Sequence, residues 1–230
     1  MPEVKIIQTD DGSHSLYLPE LKETYHSFHG AIQESIYVYI NKGFNYLLQH
    51  ANLMEINILE VGFGTGLNIL LTIAEAQKAR IKISITTLEP FQLAADITER
   101  LNYHELLNPR YPTQDLEHYF QLMHRSPWNE QVKITEYVLL TKKAVKLQEF
   151  SESGENFDLV YFDAFAPSKQ PEIWQSSIFQ NFFNNINKGG IIVTYCAQGQ
   201  FKRNLKMAGF EVETLAGPPG KKEMVRGKKI

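Results

Sequence analysis

Three glycines at alternate positions constrain this chain most. They stand in Leu59-Glu60-Val61-Gly62-Phe63-Gly64-Thr65-Gly66-Leu67, between an apolar run at 56–61 and an amphipathic stretch at 67–79. A short buried strand must therefore turn tightly into a helix, with a backbone that a ligand can approach closely. The spacing is G-x-G-x-G, not the dinucleotide pattern G-x-G-x-x-G. Glu60 precedes the first glycine, and a carboxylate there is unfavourable beside a pyrophosphate. It suits a ligand carrying an ammonium or hydroxyl group. Glu89 closes the next strand-like run, where an acidic side chain commonly grips both ribose hydroxyls.

Beyond that turn the apolar pattern keeps alternating. Strands are expected at 56–61, 81–89, 132–140, 157–163 and 190–195, with helices at 67–79, 91–101, 141–150, 171–186 and 198–208. Pro90 would open the second helix from its first position. Residues 102–130 are irregular, with a helical insertion around 114–124. Two last strands, 210–215 and 223–225, flank the turn Gly217-Pro218-Pro219-Gly220 without a helix between them. The fold class that follows is α/β: a mostly parallel Rossmann-like sheet, helices on both faces, and an antiparallel C-terminal edge pair. Residues 1–50 read differently. Asp10-Asp11-Gly12 marks a small hairpin, a helix follows at 31–41, Gly43 is expected to break it, and 44–50 make another turn or two. The expected division is an extension, 1–50, covering the cleft of a main domain, 51–230.

Composition narrows the class. With 43% hydrophobic and 21% charged residues, the 230-residue chain can bury a sizeable core. A single cysteine, Cys196, excludes a disulfide framework or cysteine-rich zinc site, and reads as a small buried hydrophobe. His26 and His29 have no cysteine or acidic cluster beside them, so no metal is expected. Apolar runs such as Ile69-Leu70-Leu71 are far shorter than the roughly 18 residues of a membrane span. No membrane partner and a cytoplasmic location are expected. The net charge of -3 speaks against a strongly basic nucleic-acid binder. It is unevenly placed, however: 201–230 carry eight Lys or Arg against three Glu, and the rest of the chain is net acidic.

The second motif is Phe162-Asp163-Ala164-Phe165-Ala166-Pro167, after the fourth strand of the alternating series. In open α/β sheets ligands bind beyond the carboxyl ends of the strands. Asp163 should therefore face the same crevice as the glycine loop and Glu89. A carboxylate there can hold and orient an ammonium group and assist loss of its proton. An adjacent aromatic, Phe165, can stack on a base or face a cation. Asp163 and Phe165 are the candidate catalytic pair.

The glycine loop and Glu89 resemble those of class I S-adenosylmethionine-dependent methyltransferases. That resemblance implies S-adenosyl-L-methionine as cofactor, held by Glu60, Gly62, Phe63, Gly64, Thr65, Gly66, Asn68, Glu89, Pro90 and Asp163. One departure is plain. Members often carry Asp or Asn after the third strand, whereas here the stretch is Val138-Leu139-Leu140-Thr141-Lys142. Adenine recognition is left to backbone groups or Thr141.

Further runs narrow the resemblance. They are Gly62-Phe63-Gly64-Thr65-Gly66-Leu67-Asn68, Asp163-Ala164-Phe165-Ala166-Pro167-Ser168-Lys169-Gln170-Pro171, Lys202-Arg203-Asn204-Leu205 and Gly220-Lys221-Lys222-Glu223-Met224. Together they are similar to the methyltransferase domain of MnmC-type tRNA wobble-uridine modifying enzymes. The resemblance implies methylation of the exocyclic amine of 5-aminomethyl-(2-thio)uridine at tRNA position 34, by a single-domain member without the flavin oxidoreductase domain. It also implies tRNA contacts from His26, His29 and Glu34. A basic stripe would join Lys202, Arg203, Lys221 and Lys222 with Arg226, Lys228 and Lys229 against the phosphates. Two other readings stay open: a methyltransferase or aminopropyltransferase acting on a small-molecule amine, and a non-catalytic cofactor- or RNA-binding module.

Overall fold

The computed structural model describes residues 3–150 and 156–230. The chain opens with a three-stranded antiparallel sheet: β1 (Lys5–Gln8), β2 (His14–Leu18) and β3 (Glu23–Thr24). A continuous helical rod follows: α1 (Ala31–Ser35), a π-helical segment (Ile36–Phe44) and α2 (Asn45–His50). Gly43 does not break it. A Cβ there would lie 3.1 Å from Val193 and 3.2 Å from Tyr161, so glycine is what lets the rod lie close on the sheet.

The main sheet has eight strands: β4 (Glu55–Val61), β5 (Lys82–Leu88), β6 (Gln131–Lys133), β7 (Val138–Lys143), β8 (Phe157–Phe162), β9 (Ile186–Thr194), β10 (Glu211–Ala216) and β11 (Glu223–Lys228). Their order is β10-β11-β9-β8-β4-β5-β7-β6. The five from β9 to β7 are mutually parallel; β6 pairs antiparallel with β7, β11 with β9, and β10 with β11, so that β10 and β6 are the edges. This is the expected α/β class, including the C-terminal edge pair. All six residues of β8 are buried, as a central strand covered on both faces requires.

Alternation along the strands makes two cores. Ile58, Leu159, Tyr161 and Val193 join the helical rod and α3 (Leu67–Ala79) on one face. Leu59, Val160, Phe162 and Ile192 meet α7 (Ser176–Asn185) and α8 (Gly199–Ala208) on the other. After β4 the chain moves outward through β5 to β7, then returns to β8 on the opposite side of β4. The switch point between β4 and β8 opens a crevice at their carboxyl ends.

Several expected elements differ. The strand at 132–140 is a hairpin of β6 and β7. The helix at 141–150 is absent: β7 runs on to Lys143 because β5 offers it partners through Leu88, and only a 3-10 turn, Leu147–Glu149, follows. The helix at 91–101 shrinks to α4 (Ala95–Thr98), since the Glu89 carboxylate takes the Phe91 N–H in a non-helical turn. The insertion holds α5 (Tyr103–Leu107) and α6 (Leu116–Arg125). The helix at 171–186 splits into a 3-10 turn, Pro171–Trp174, and α7. Among the described residues no helix is long and apolar enough to cross a membrane.

Candidate active site

The glycine turn leaves β4 and is tied to the neighbouring strand, with the Gly62 and Phe63 N–H groups donating to the Leu88 carbonyl. Gly62 has φ +94, and a Cβ on it would lie 2.6 Å from the Asp163 carbonyl oxygen. Glycine is thus what brings the turn against the end of β8. Gly66 has φ +76 and does not line the cavity. Its missing Cβ makes room for Met123 on α6.

A cavity of about 1400 Å³ lies over these strand ends. Gly62, Phe63, Gly64, Thr65 and Asn68 line one wall, and Glu89 and the exposed Pro90 the next. Glu89 Oε2 accepts the Gly64 N–H at 3.0 Å and Oε1 the Phe91 N–H at 2.9 Å. Burial raises its pKa, opposed by those two donors. Glu60 sits behind the turn, fully buried and outside the cavity lining. Its Oε2 takes the Thr87 hydroxyl at 2.5 Å, Oε1 has no partner, and burial holds its pKa well above the usual range. Thr141 does not line the cavity either; residues 145–148 after β7 do. Lys142 is buried over the Trp128 ring, donates to the His124 carbonyl at 2.9 Å, and is lowered by burial to about 8.

Asp163 lies on the floor, one residue past β8. Tyr39 Oη donates to its Oδ1 at 2.6 Å and Asn68 Nδ2 to its Oδ2 at 2.7 Å. Burial raises its pKa to about 6, against the pull of these two donors. Phe165 stands edge-on to Tyr25, with centroids 5.4 Å apart, and both line the cavity. Tyr195 completes this end, its hydroxyl fixed on the Ala164 carbonyl at 2.8 Å.

Residues of the N-terminal segment between Leu18 and Glu34 also line the cavity. Lys169 Nζ donates to the Leu21 carbonyl at 2.7 Å and lies 3.9 Å from Glu23. Buried Glu34 pairs with Lys221, whose Nζ rests 3.7 Å from the Tyr195 ring centroid, and accepts the Ser27 N–H at 2.8 Å. His26 is buried against Ser15 Oγ and lowered by burial to about 4. His29 is exposed at the rim, 3.2 Å from Asp10.

The basic tail does not form one stripe. Lys202, which pairs with Glu223 at 3.1 Å, and exposed Arg203 and Lys222 lie toward the cleft end with Lys221. Arg226 is buried, pairs with Glu213 at 2.6 Å and stacks over Tyr46. Lys229 donates to the Phe183 and Ile186 carbonyls at the far end of β9. Because β11 runs antiparallel to β9, its later residues point away from the cleft.

A family profile described as S-adenosyl-L-methionine-dependent methyltransferase matches residues 104–230. The chain belongs to this family. The methyltransferase is 29% identical over 89% of its length to the tRNA 5-methylaminomethyl-2-thiouridine biosynthesis bifunctional protein MnmC of Idiomarina loihiensis, and 30% identical over 90% to that of Leptospira interrogans. It spans about a third of the length of these relatives, 35% and 33%. In fold it matches MnmC2 from Aquifex aeolicus with a TM-score of 0.79 at 24% identity, covering 99% of this chain and 70% of the other. DesVI from Streptomyces venezuelae matches at TM-score 0.50 and 11% identity, covering 86% and 93%.

The methyl donor of this methyltransferase is S-adenosyl-L-methionine, and the residues present fit it. Thr65 Oγ1 and Asn68 Oδ1 are buried on the cavity wall without a hydrogen-bond partner. Each Glu89 oxygen has one N–H donor and keeps acceptor capacity for a ribose hydroxyl. Tyr39, Tyr195 and Lys169 escaped the sequence reading. Lys169 and Tyr195, the latter in Thr194-Tyr195, stand only in runs that resemble the family, and Tyr39 carries no local motif; each acts on a group distant in the chain.

Proposed function

We propose that this methyltransferase methylates the exocyclic amine of 5-aminomethyl-(2-thio)uridine at wobble position 34 of tRNA. Asp163 carries the reading. Glu34 and Lys221 offset each other as an ion pair, which leaves the Asp163 carboxylate held by two neutral donors and without a cation of its own among the described residues. A cationic acceptor beside Asp163 and the Phe165 ring meets complementary charge and quadrupole. The relatives are named for 5-methylaminomethyl-2-thiouridine biosynthesis, which supports a methylamine product.

S-adenosyl-L-methionine supplies a methyl group on a positively charged sulfur, transferred by in-line displacement. A primary alkyl ammonium, with a pKa of about 10, attacks only after losing a proton. Asp163 orients the ammonium and takes one proton before attack; the neutral amine's lone pair then forms the N–C bond as the S–C bond breaks, leaving the methylated ammonium and a neutral thioether. Phe165 and Tyr25 flank the base and exclude water. The exposed Arg203 and Lys222, beside the paired Lys202 and Lys221, steer the polyanion, and His29 stands at the rim.

Calorimetry with S-adenosyl-L-methionine, followed by methyl transfer to tRNA bearing the aminomethyl group, tests this. Saturable transfer to that nucleoside is expected. Transfer to free small amines with none to the tRNA would overturn the reading in favour of a small-molecule enzyme.

A further inference from the structure

The segment Ile36–Phe44 is π-helical over nine residues, and the following Asn45 N–H still bonds the Ile40 carbonyl. Such wide turns are rare and occur frequently at functional sites. Here the wide turn puts Tyr39 and Gly43 on one face, both against Tyr161 of β8: the Tyr39 and Tyr161 centroids are 5.3 Å apart, and Gly43 leaves room for the ring edge. Tyr161 and Asp163 are two residues apart on the same side of the strand direction. The Tyr39 hydroxyl thereby reaches Asp163 Oδ1 at 2.6 Å, while Asn68 holds Oδ2 at 2.7 Å. Tyr39 itself is buried and does not line the cavity.

We infer that Tyr39 is a positioning residue for the methyl-transfer reaction: its hydroxyl fixes Asp163 in the orientation and ionised form that receive the acceptor amine. The inference rests on the proposed role of Asp163. The other polar groups facing Asp163 are Asn68 from α3, Glu60 from β4, Glu34 from α1, Tyr195 after β9 and Lys221 before β11. Glu34, Glu60 and Tyr195 supply no donor to the carboxylate, and Lys221 is paired with Glu34. Tyr39 and Asn68 are therefore the two direct donors that keep Asp163 charged, against a burial that lifts its pKa to about 6.

The test is Tyr39→Phe, which keeps the ring on Tyr161 and removes the donor. Affinity for S-adenosyl-L-methionine should stay within about twofold, because the hydroxyl does not face the cofactor wall. The acid limb of kcat/KM should move up by about one pH unit, a roughly tenfold loss below the limb that is recovered at high pH. Replacing Tyr39 by 3-fluorotyrosine, a stronger donor, should move the limb the other way, and serves if the phenylalanine variant does not fold. Profiles that superimpose on the parent would overturn the inference. Asp163→Asn, run in parallel, separates it from the reading beneath it. If that variant turns over normally, the role of Asp163 fails. If it is inactive while the Tyr39 profiles superimpose, only the role of Tyr39 fails.

Discussion

At Gly62 a single carbon atom decides the geometry of the site. A Cβ would sit 2.6 Å from the Asp163 carbonyl oxygen, and the backbone is in the left-handed region at φ +94. Gly62→Ala should therefore push the turn off the end of β8 and weaken cofactor binding by roughly tenfold or more, about 1.4 kcal/mol. Gly189→Ala is the matched control, having φ +84 and nothing within 4 Å of its Cβ. It bears similar backbone strain and should leave cofactor affinity unchanged in calorimetry. The glycines, Glu89 and Asp163 were legible because each stands beside a strand end in a local pattern. Tyr39 was not, since its partner lies 124 residues away and its aim depends on a π-helical register that apolar spacing does not reveal. Glu60 was legible as special, but its side chain turns behind the glycine turn to Thr87.

Between elements, the small N-terminal sheet is tied to the cavity wall by a side chain from a loop it does not pair with. Lys169 reaches the Leu21 carbonyl from the segment after β8, and the Tyr25 N–H bonds the Leu16 carbonyl within the N-terminal segment. Lys169→Met should leave the main sheet intact and free the N-terminal sheet. Hydrogen exchange at the Tyr25 amide should accelerate by roughly tenfold, the worth of one charged hydrogen bond to a carbonyl, with unchanged exchange in β8. Equal protection in both proteins would show that the lysine holds nothing. Strands with continuous apolar runs were legible from periodicity alone, as were α3 and α8. The stretch at 141–150 was not, because a strand's length is set by the neighbour that pairs with it. β5 continues to Leu88, so β7 follows it to Lys143 despite a helix-compatible sequence.

For the whole molecule, buried titratable groups set the response to acid. His26 and His124 are both lowered by burial to about 4 from an ordinary 6.5. Between those values the unfolded chain takes up protons that the fold refuses, so they make stability fall as pH drops. Asp163, raised to about 6 from 3.8, acts in the opposite sense between its two values, where the fold binds the proton first. His26→Gln should flatten the fall in Tm between about pH 6.5 and 4 relative to the parent, whatever its effect on Tm at pH 8. Identical slopes would mean that His26 is protonated in the folded protein. The charge distribution was legible in the sequence as a basic tail, but β11, running antiparallel to β9, divides it between the two ends of the sheet. The rim of the cleft has one more consequence. Glu34 and Lys221 meet across 187 residues, and Gly220 packs on His29 beside them. The glycine turn, Glu89 and Asp163 all lie between these partners in sequence, so the rim contact is nonlocal and carries a large loop-closure entropy.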